Sequence, residues 1–460
     1  MKNMKRIGAL ALALVMVLAM GTTAFAADLT NGEIGGSEFP TDNPTTQSKT
    51  INIAKELTVY NKDETSINAP TISYTYTVTA GPAGVSITDA ASDHANNTPV
   101  TVTTKAGNLS GLAVNGTAGA TGTITWAPTE TVTAADDGAA NIKYLSLNFT
   151  DVVFGAAGVY RYTITETPPD YAASGVTETT SANSKHVRYL DVYVRPAPTG
   201  FTDGSAAADW DIYGYVCVLE NEAITDTGDT ATTGAVKTNG FVAGTNDGTA
   251  YLADSYYTYN VTVSKSVTND AYAKATHEFP FTVIFTNANV TNAVDISSEA
   301  TEGKTSGWTD PTSAAMMLED DSSNIKGVVK IKDGGSVKYI GIPNGTSVEV
   351  YETNDMTGVT YQVTTTTDGA TPAHVDAAVT SGEAPSVAVA QTTKELYQST
   401  KTTIATEANK DDDTAHTIAI VNDLQVISPT GVVLRVGPYL LIVALGAVLF
   451  LFTRRRKVVE

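Results

Sequence analysis

The chain has 460 residues, with 28 Lys and Arg against 49 Asp and Glu and a net charge of −21. So acidic a surface repels phosphate backbones and anionic headgroups, which excludes nucleic acid and anionic membrane surfaces as partners. A single cysteine, Cys217, excludes an intramolecular disulfide.

The first residues carry Lys2, Lys5 and Arg6 and no acid, and an apolar run follows from Ile7 to Met20. Ala24-Phe25-Ala26 then supplies a small-x-small cleavage site, so residues 1–26 read as a secretory signal peptide cut between Ala26 and Ala27. An uncleaved anchor would need about 20 apolar residues, more than this run provides. Beyond it the chain is rich in Thr, Val, Tyr, Gly and Asn, in short alternating runs separated by turn residues. That pattern predicts an all-β chain of two tandem Ig-like β-sandwich domains, over 47–245 and 256–426.

A weak internal repeat supports two copies of one unit. Ile51-Asn52-Ile53-Ala54-Lys55-Glu56-Leu57-Thr58-Val59 opens the first, followed by Tyr74-Thr75-Tyr76-Thr77-Val78 and later by a strand ending at Glu166. Thr245-Asn246-Asp247-Gly248-Thr249 reads as a polar linker. Val261-Thr262-Val263-Ser264-Lys265-Ser266-Val267 opens the second unit, followed by Phe279-Pro280-Phe281-Thr282-Val283 and a strand ending at Glu352. Alternate strand residues face one side of a sheet. Lys55 shares parity with Ile51, Ile53, Leu57 and Val59, and Lys265 with Val261, Val263 and Val267. Glu166 shares a face with Tyr162 and Ile164, Glu352 with Val348 and Val350, and Asn422 with Ile418 and Ile420. Polar groups aimed into a core are costly unless they satisfy one another. A single inward lysine has an ordinary explanation in snorkelling, but the same order of lysine and glutamate in both units favours a shared site.

The chain ends with Ile427-Ser428-Pro429-Thr430-Gly431, a 21-residue apolar stretch over 432–452, and Arg454-Arg455-Arg456-Lys457. The stretch is long enough for a transmembrane helix, and the basic tail keeps its end cytoplasmic. Without residues 1–26 and 431–460 the chain keeps 20 bases against 48 acids, a net charge of −28. The histidines show no metal-ligand spacing. Asp411-Asp412-Asp413 lacks the alternating ligands of a calcium loop, and Asp295-Ile296-Ser297-Ser298 falls short of a metal-dependent adhesion pattern. No metal, no cofactor and no enzyme activity on an external substrate are expected.

The tripartite end, residues 427–460, resembles the cell-wall sorting signal of Gram-positive surface proteins. That resemblance implies a sortase partner whose cysteine attacks the Thr430 carbonyl and releases the chain from Gly431 onward. Ser428 stands where the common motif has proline, and Pro429 directly precedes Thr430, a form similar to that of pilin subunits with dedicated sortases. It further implies a secreted, cell-wall-anchored protein, joined to peptidoglycan or to neighbouring pilin subunits. Membrane contact would then be limited to the transient C-terminal segment.

The inward lysines and glutamates resemble those of Gram-positive pilin domains that carry intramolecular Lys–Asn isopeptide bonds. In that family a buried lysine on the first strand attacks an asparagine amide on the last, a glutamate assists, and ammonia leaves. Carried over, the resemblance implies Lys265–Asn422 with Glu352 in the second domain. In the first it implies Lys55 with Glu166 and, as acceptor, Asn239, which lies 73 residues after Glu166 much as Asn422 lies 70 after Glu352. Asn221 is the alternative acceptor. The expected function is a sortase-polymerised pilin shaft subunit. The alternatives are a monomeric wall-anchored adhesin for a host protein or glycan, and an S-layer or matrix protein.

Overall fold

The computed structural model describes residues 49–89, 100–179, 186–196, 210–219, 224–225, 237–246, 249–309, 325–354, 361–367, 373–375, 395–398, 402–403, 416–424 and 445. Residues 1–26, read above as a signal peptide, with Ala27, Asn221, the Pro429-Thr430-Gly431 motif and, Leu445 apart, the apolar stretch 432–452 lie outside them. The described residues form two compact units. One ends at Thr258 and also holds Ala288–Asp295; the other comprises Tyr259–Asn287 and the described residues from Ile296 on. Both are all-β, with short helices at Tyr171–Ser174 in the first and Ala271–Thr276 in the second.

In the first unit the strand Thr50–Tyr60 alternates β-branched and polar residues, and it buries Ile51, Ile53, Leu57 and Val59 on one face together with Lys55. It pairs antiparallel with Ala139–Asn148. On its other side it pairs in parallel with Gly240–Phe241 and then with Asp254–Tyr257. The opposing sheet is built on Gly158–Thr167, flanked by Val187–Pro196 and Ile72–Ala80. Tyr74, Tyr76, Trp126, Tyr162 and Ile164 fill the space between, with Tyr74 edge-on to Trp126 at 5.7 Å. The far face of this sheet is covered as well. There Arg161 and Asp191 form a fully buried two-pronged ion pair at 2.7 Å beside a small cluster of Ile87, Val159, Tyr193, Val216 and Val218.

The second unit repeats the plan. Val261–Thr268 runs parallel to His416–Leu424, which pairs antiparallel with Tyr361–Thr367. The facing sheet centres on Phe279–Thr286, between Ile325–Ile331 and Ser347–Asn354. The buried Phe279, Phe281, Val283, Val348 and Val350 supply its apolar face.

Two boundaries differ from the sequence expectation. Thr245 and Thr249 are not linker: Gly244–Asn246 pairs antiparallel with Thr249–Tyr251. Asp247-Gly248 stands between them, a pair that two-residue hairpins favour. The first unit also extends beyond residue 245, because Asp254–Tyr257 extends its sheet.

Gly240 is where the chain must come close to the lysine strand. Its φ is +141°, and a Cβ there would lie 2.3 Å from the Ala54 carbonyl oxygen. Gly240→Ala is expected to destabilise the first unit by about 1–3 kcal/mol, read as a lower denaturant midpoint.

Candidate functional site: two buried lysine–glutamate centres

In the second unit Lys265 Nζ donates to Glu352 Oε2 at 2.9 Å, with both side chains buried. Asn422 Nδ2 donates to Glu352 Oε1 at 2.5 Å. The three groups come from three different strands and share one carboxylate. Phe279 and Phe281 close over the amine, their ring centroids 4.3 and 5.8 Å from Nζ, and keep water out. Burial pushes the Lys265 ammonium down to about 8, against the pull of the Glu352 charge and hydrogen bond. Asn422 Oδ1 is buried without a hydrogen-bond partner. Turning the amide exchanges oxygen and nitrogen with little change of shape, and it places Oδ1 on Glu352 once that carboxyl carries a proton.

The first unit assembles a related centre. Lys55 Nζ lies 3.0 Å from Glu166 Oε2 and 2.8 Å from Asp254 Oδ2, all three side chains being buried. Tyr74 lies under the amine at 4.0 Å, as Phe279 does in the other unit. Tyr76 donates its hydroxyl to Glu166 Oε2 at 2.7 Å, and the Thr179 amide donates to Asp254 Oδ1 at 2.9 Å. Burial raises the Glu166 carboxyl, but the His186 hydrogen bond, the Lys55 charge and the hydrogen bonds from Tyr76 and Lys55 bring it below its ordinary value.

The register shows why Asp254 is here. Asn422 stands opposite Val267, two residues beyond Lys265, on a parallel neighbouring strand. Asp254 stands opposite Leu57, two residues beyond Lys55, also on a parallel neighbouring strand. The glutamates match too, since Glu166 faces Tyr76 and Glu352 faces Phe281 across antiparallel pairs. A carboxylate in one unit thus occupies the place that an amide occupies in the other.

Asn239, expected as the first-unit acceptor, is not the residue at Lys55. It is exposed and meets the lysine strand through its backbone, its carbonyl accepting from the Ala54 amide at 3.0 Å. Phe241, two residues on, is the residue in register with Lys55. Sequence reasoning missed Asp254 because the search was confined to asparagine. It also missed His186 and Tyr76, which reach Glu166 from other strands or turns. An acid on the parity of Tyr256, at the head of the long strand Asp254–Thr268, was the available signal.

Residues 259–387 match a family model described as a domain of unknown function, DUF7601. No curated protein matches the chain. Among solved structures it is similar to the major pilin protein T3.2 of Streptococcus pyogenes, at 17% identity over 82% of this chain and 100% of that one, with a TM-score of 0.36. A second S. pyogenes major pilin, T-13, is 15% identical over 82% and 100%, with a TM-score of 0.33. A Mobiluncus mulieris adhesin containing intramolecular disulfide, isopeptide and ester cross-links is 10% identical over 82% and 99%, with a TM-score of 0.22.

Proposed function

We propose that the chain is a structural surface protein, a wall-anchored pilin subunit of the shaft type, each unit of which closes itself with an intramolecular isopeptide bond. The observation that carries the reading is the matched register of the two centres. Each sets a buried lysine, a glutamate from the facing sheet and an acyl acceptor two residues along on a parallel strand. In the second unit Lys265 attacks Asn422 and ammonia leaves; in the first Lys55 condenses with Asp254 and water leaves.

The chemistry follows from burial. Burial lowers the Lys265 ammonium, and proton transfer from a lysine to its partner carboxylate yields the amine nucleophile together with an acid that polarises the acyl oxygen. Each bond joins strands distant in sequence, and it braces the unit as a disulfide would in a chain with one cysteine. The signal peptide, the cut at Thr430-Gly431 and the acidic surface fit a subunit that sortase joins to neighbours or to peptidoglycan. A monomeric adhesin has the same ends; a ladder of covalent high-mass species in wall extracts favours the fibre, and a single band favours the adhesin.

The test is the intact mass of recombinant Ala27–Thr430. The expected product is lighter by one ammonia and one water, and peptide mapping joins Lys265 to Asn422 and Lys55 to Asp254. An unmodified mass in folded protein overturns the cross-link reading.

A further inference from the structure

The two centres differ in charge. In the second unit one ammonium faces one carboxylate, and the acceptor Asn422 is neutral. In the first, one ammonium faces two buried carboxylates, Glu166 and Asp254. An excess buried negative charge is costly without a further cation. That cation is available in His186, whose Nδ1 lies 3.3 Å from Glu166 Oε1 and whose Nε2 lies 2.8 Å from Glu178 Oε1. Only the imidazolium can donate to a carboxylate from both ring nitrogens at once. The three side chains step outward, Glu166 being 1% exposed, His186 21% and Glu178 33%.

We propose that His186 is a positioning residue for the first-unit cross-link. Held as an imidazolium between Glu178 and Glu166, it balances the second buried carboxylate and keeps Glu166 ionised as the proton relay. This rests on the Lys55–Asp254 reading. In the condensation a bond forms between Lys55 Nζ and Asp254 Cγ, and one Cγ–Oδ bond breaks. Glu166 takes protons from Nζ and passes them to the leaving oxygen. Two of the three ammonium hydrogens thus depart in water, and the third stays on the amide nitrogen. The ammonium and carboxylate charges cancel, and no redox partner is needed. Afterwards Lys55 is neutral, so Glu166 is left with His186 as its cation.

Lys55 and Tyr76 also bond Glu166, Asp254 shares Lys55 with it, and Tyr74 and Tyr171 lie within reach of its charge. Facing His186 from the other side is Glu178. Arg188, on the adjoining strand, is directed to the Gly240 and Val187 carbonyls and lies over Phe241. The Glu166 hydrogen bond raises His186 against the effect of burial, and Glu178 adds to it. Protonating Glu166 removes the relay, so first-unit bond formation falls as pH drops through the Glu166 value. Removing the imidazolium raises that value and moves this acid limb to higher pH.

The test refolds inclusion-body Ala27–Thr430 into buffers across a pH series and follows the intact mass with time, for wild type, His186→Gln and Glu178→Gln. The glutamine at 186 can still donate to Glu166 but carries no charge. The expected result is an acid limb of water loss displaced upward by about one pH unit in His186→Gln and by less in Glu178→Gln. At pH below the wild-type Glu166 value the His186→Gln rate approaches about one-tenth of the wild-type rate, and the two converge at higher pH. Ammonia loss from the second unit is unchanged and marks that unit as folded, while protease resistance of the first unit reports the folding of the variants. Wild-type and His186→Gln profiles that coincide overturn the inference while leaving the cross-link standing. Absence of water loss in wild type removes the cross-link reading and this inference with it. If His186→Gln fails to fold, an unmoved Glu178→Gln profile overturns the inference and an upward shift supports it.

Discussion

Glu352→Gln is expected to abolish ammonia loss from the second unit while water loss from the first continues. Glutamine keeps the shape of the carboxyl that bridges Lys265 and Asn422 but takes no proton from the amine. Without the bond, the unfolded second unit regains the entropy of a long loop, worth on the order of 5 kcal/mol in the chain-entropy treatment. At about 2–4 °C per kcal/mol the unfolding midpoint of that unit should drop by about 10–20 °C. Lys265→Ala gives the same mass result and adds a cost of about 3–5 kcal/mol if Glu352 stays charged, because it is then a buried anion without its ammonium. Ammonia loss persisting in Glu352→Gln would remove the glutamate from the chemistry.

The pH dependence tests the same pair from another side. A shared proton moves between Lys265 and Glu352 without exchange with solvent, so the rate of ammonia loss should be flat through neutral pH. Above about 8 the pair gives up that proton. The amine is then free, but the acid that polarises the Asn422 carbonyl is gone, and the rate should fall about tenfold per pH unit. A rate that instead climbs above that value would mean that the amine acts alone.

The reach of the sequence reading is set by which of these relations are local. Parity along a strand is local, and it placed Lys55, Lys265, Glu166, Glu352 and Asn422 on core faces; all five are buried. Which strand lies beside which is not local. Asp254 and Lys55 are 199 residues apart, and the parallel pairing that joins them is decided by tertiary packing. Asp247-Gly248 signals only a break in a strand, which serves a hairpin and a linker equally well. Spacing from the glutamate pointed to Asn239, whereas the register of the parallel strands sets Asp254 opposite Leu57 as it sets Asn422 opposite Val267. His186 reaches Glu166 from outside the strand pattern, and no periodicity marks it.

The register argument makes its strongest claim at Asp254, and a single exchange tests it. Asp254→Asn gives the first unit the charge balance of the second, one ammonium, one carboxylate and a neutral amide. If the two centres are equivalent, the cross-link still forms, but it sheds ammonia instead of water, so the mature chain loses two ammonias. The imidazolium then has no second carboxylate to balance, and the effect of His186→Gln should shrink in this background. Asp254→Ala leaves Lys55 and Glu166 in place and should stop the first-unit loss altogether, lowering the midpoint of that unit by about 10–20 °C. Asn239→Ala should change neither mass, since that side chain is exposed and its backbone carbonyl is what accepts from the Ala54 amide. A first-unit loss that survives Asp254→Ala and vanishes in Asn239→Ala would return the acceptor to Asn239. It would also mean that the Gly240–Phe241 segment shifts its register on the lysine strand before the bond closes.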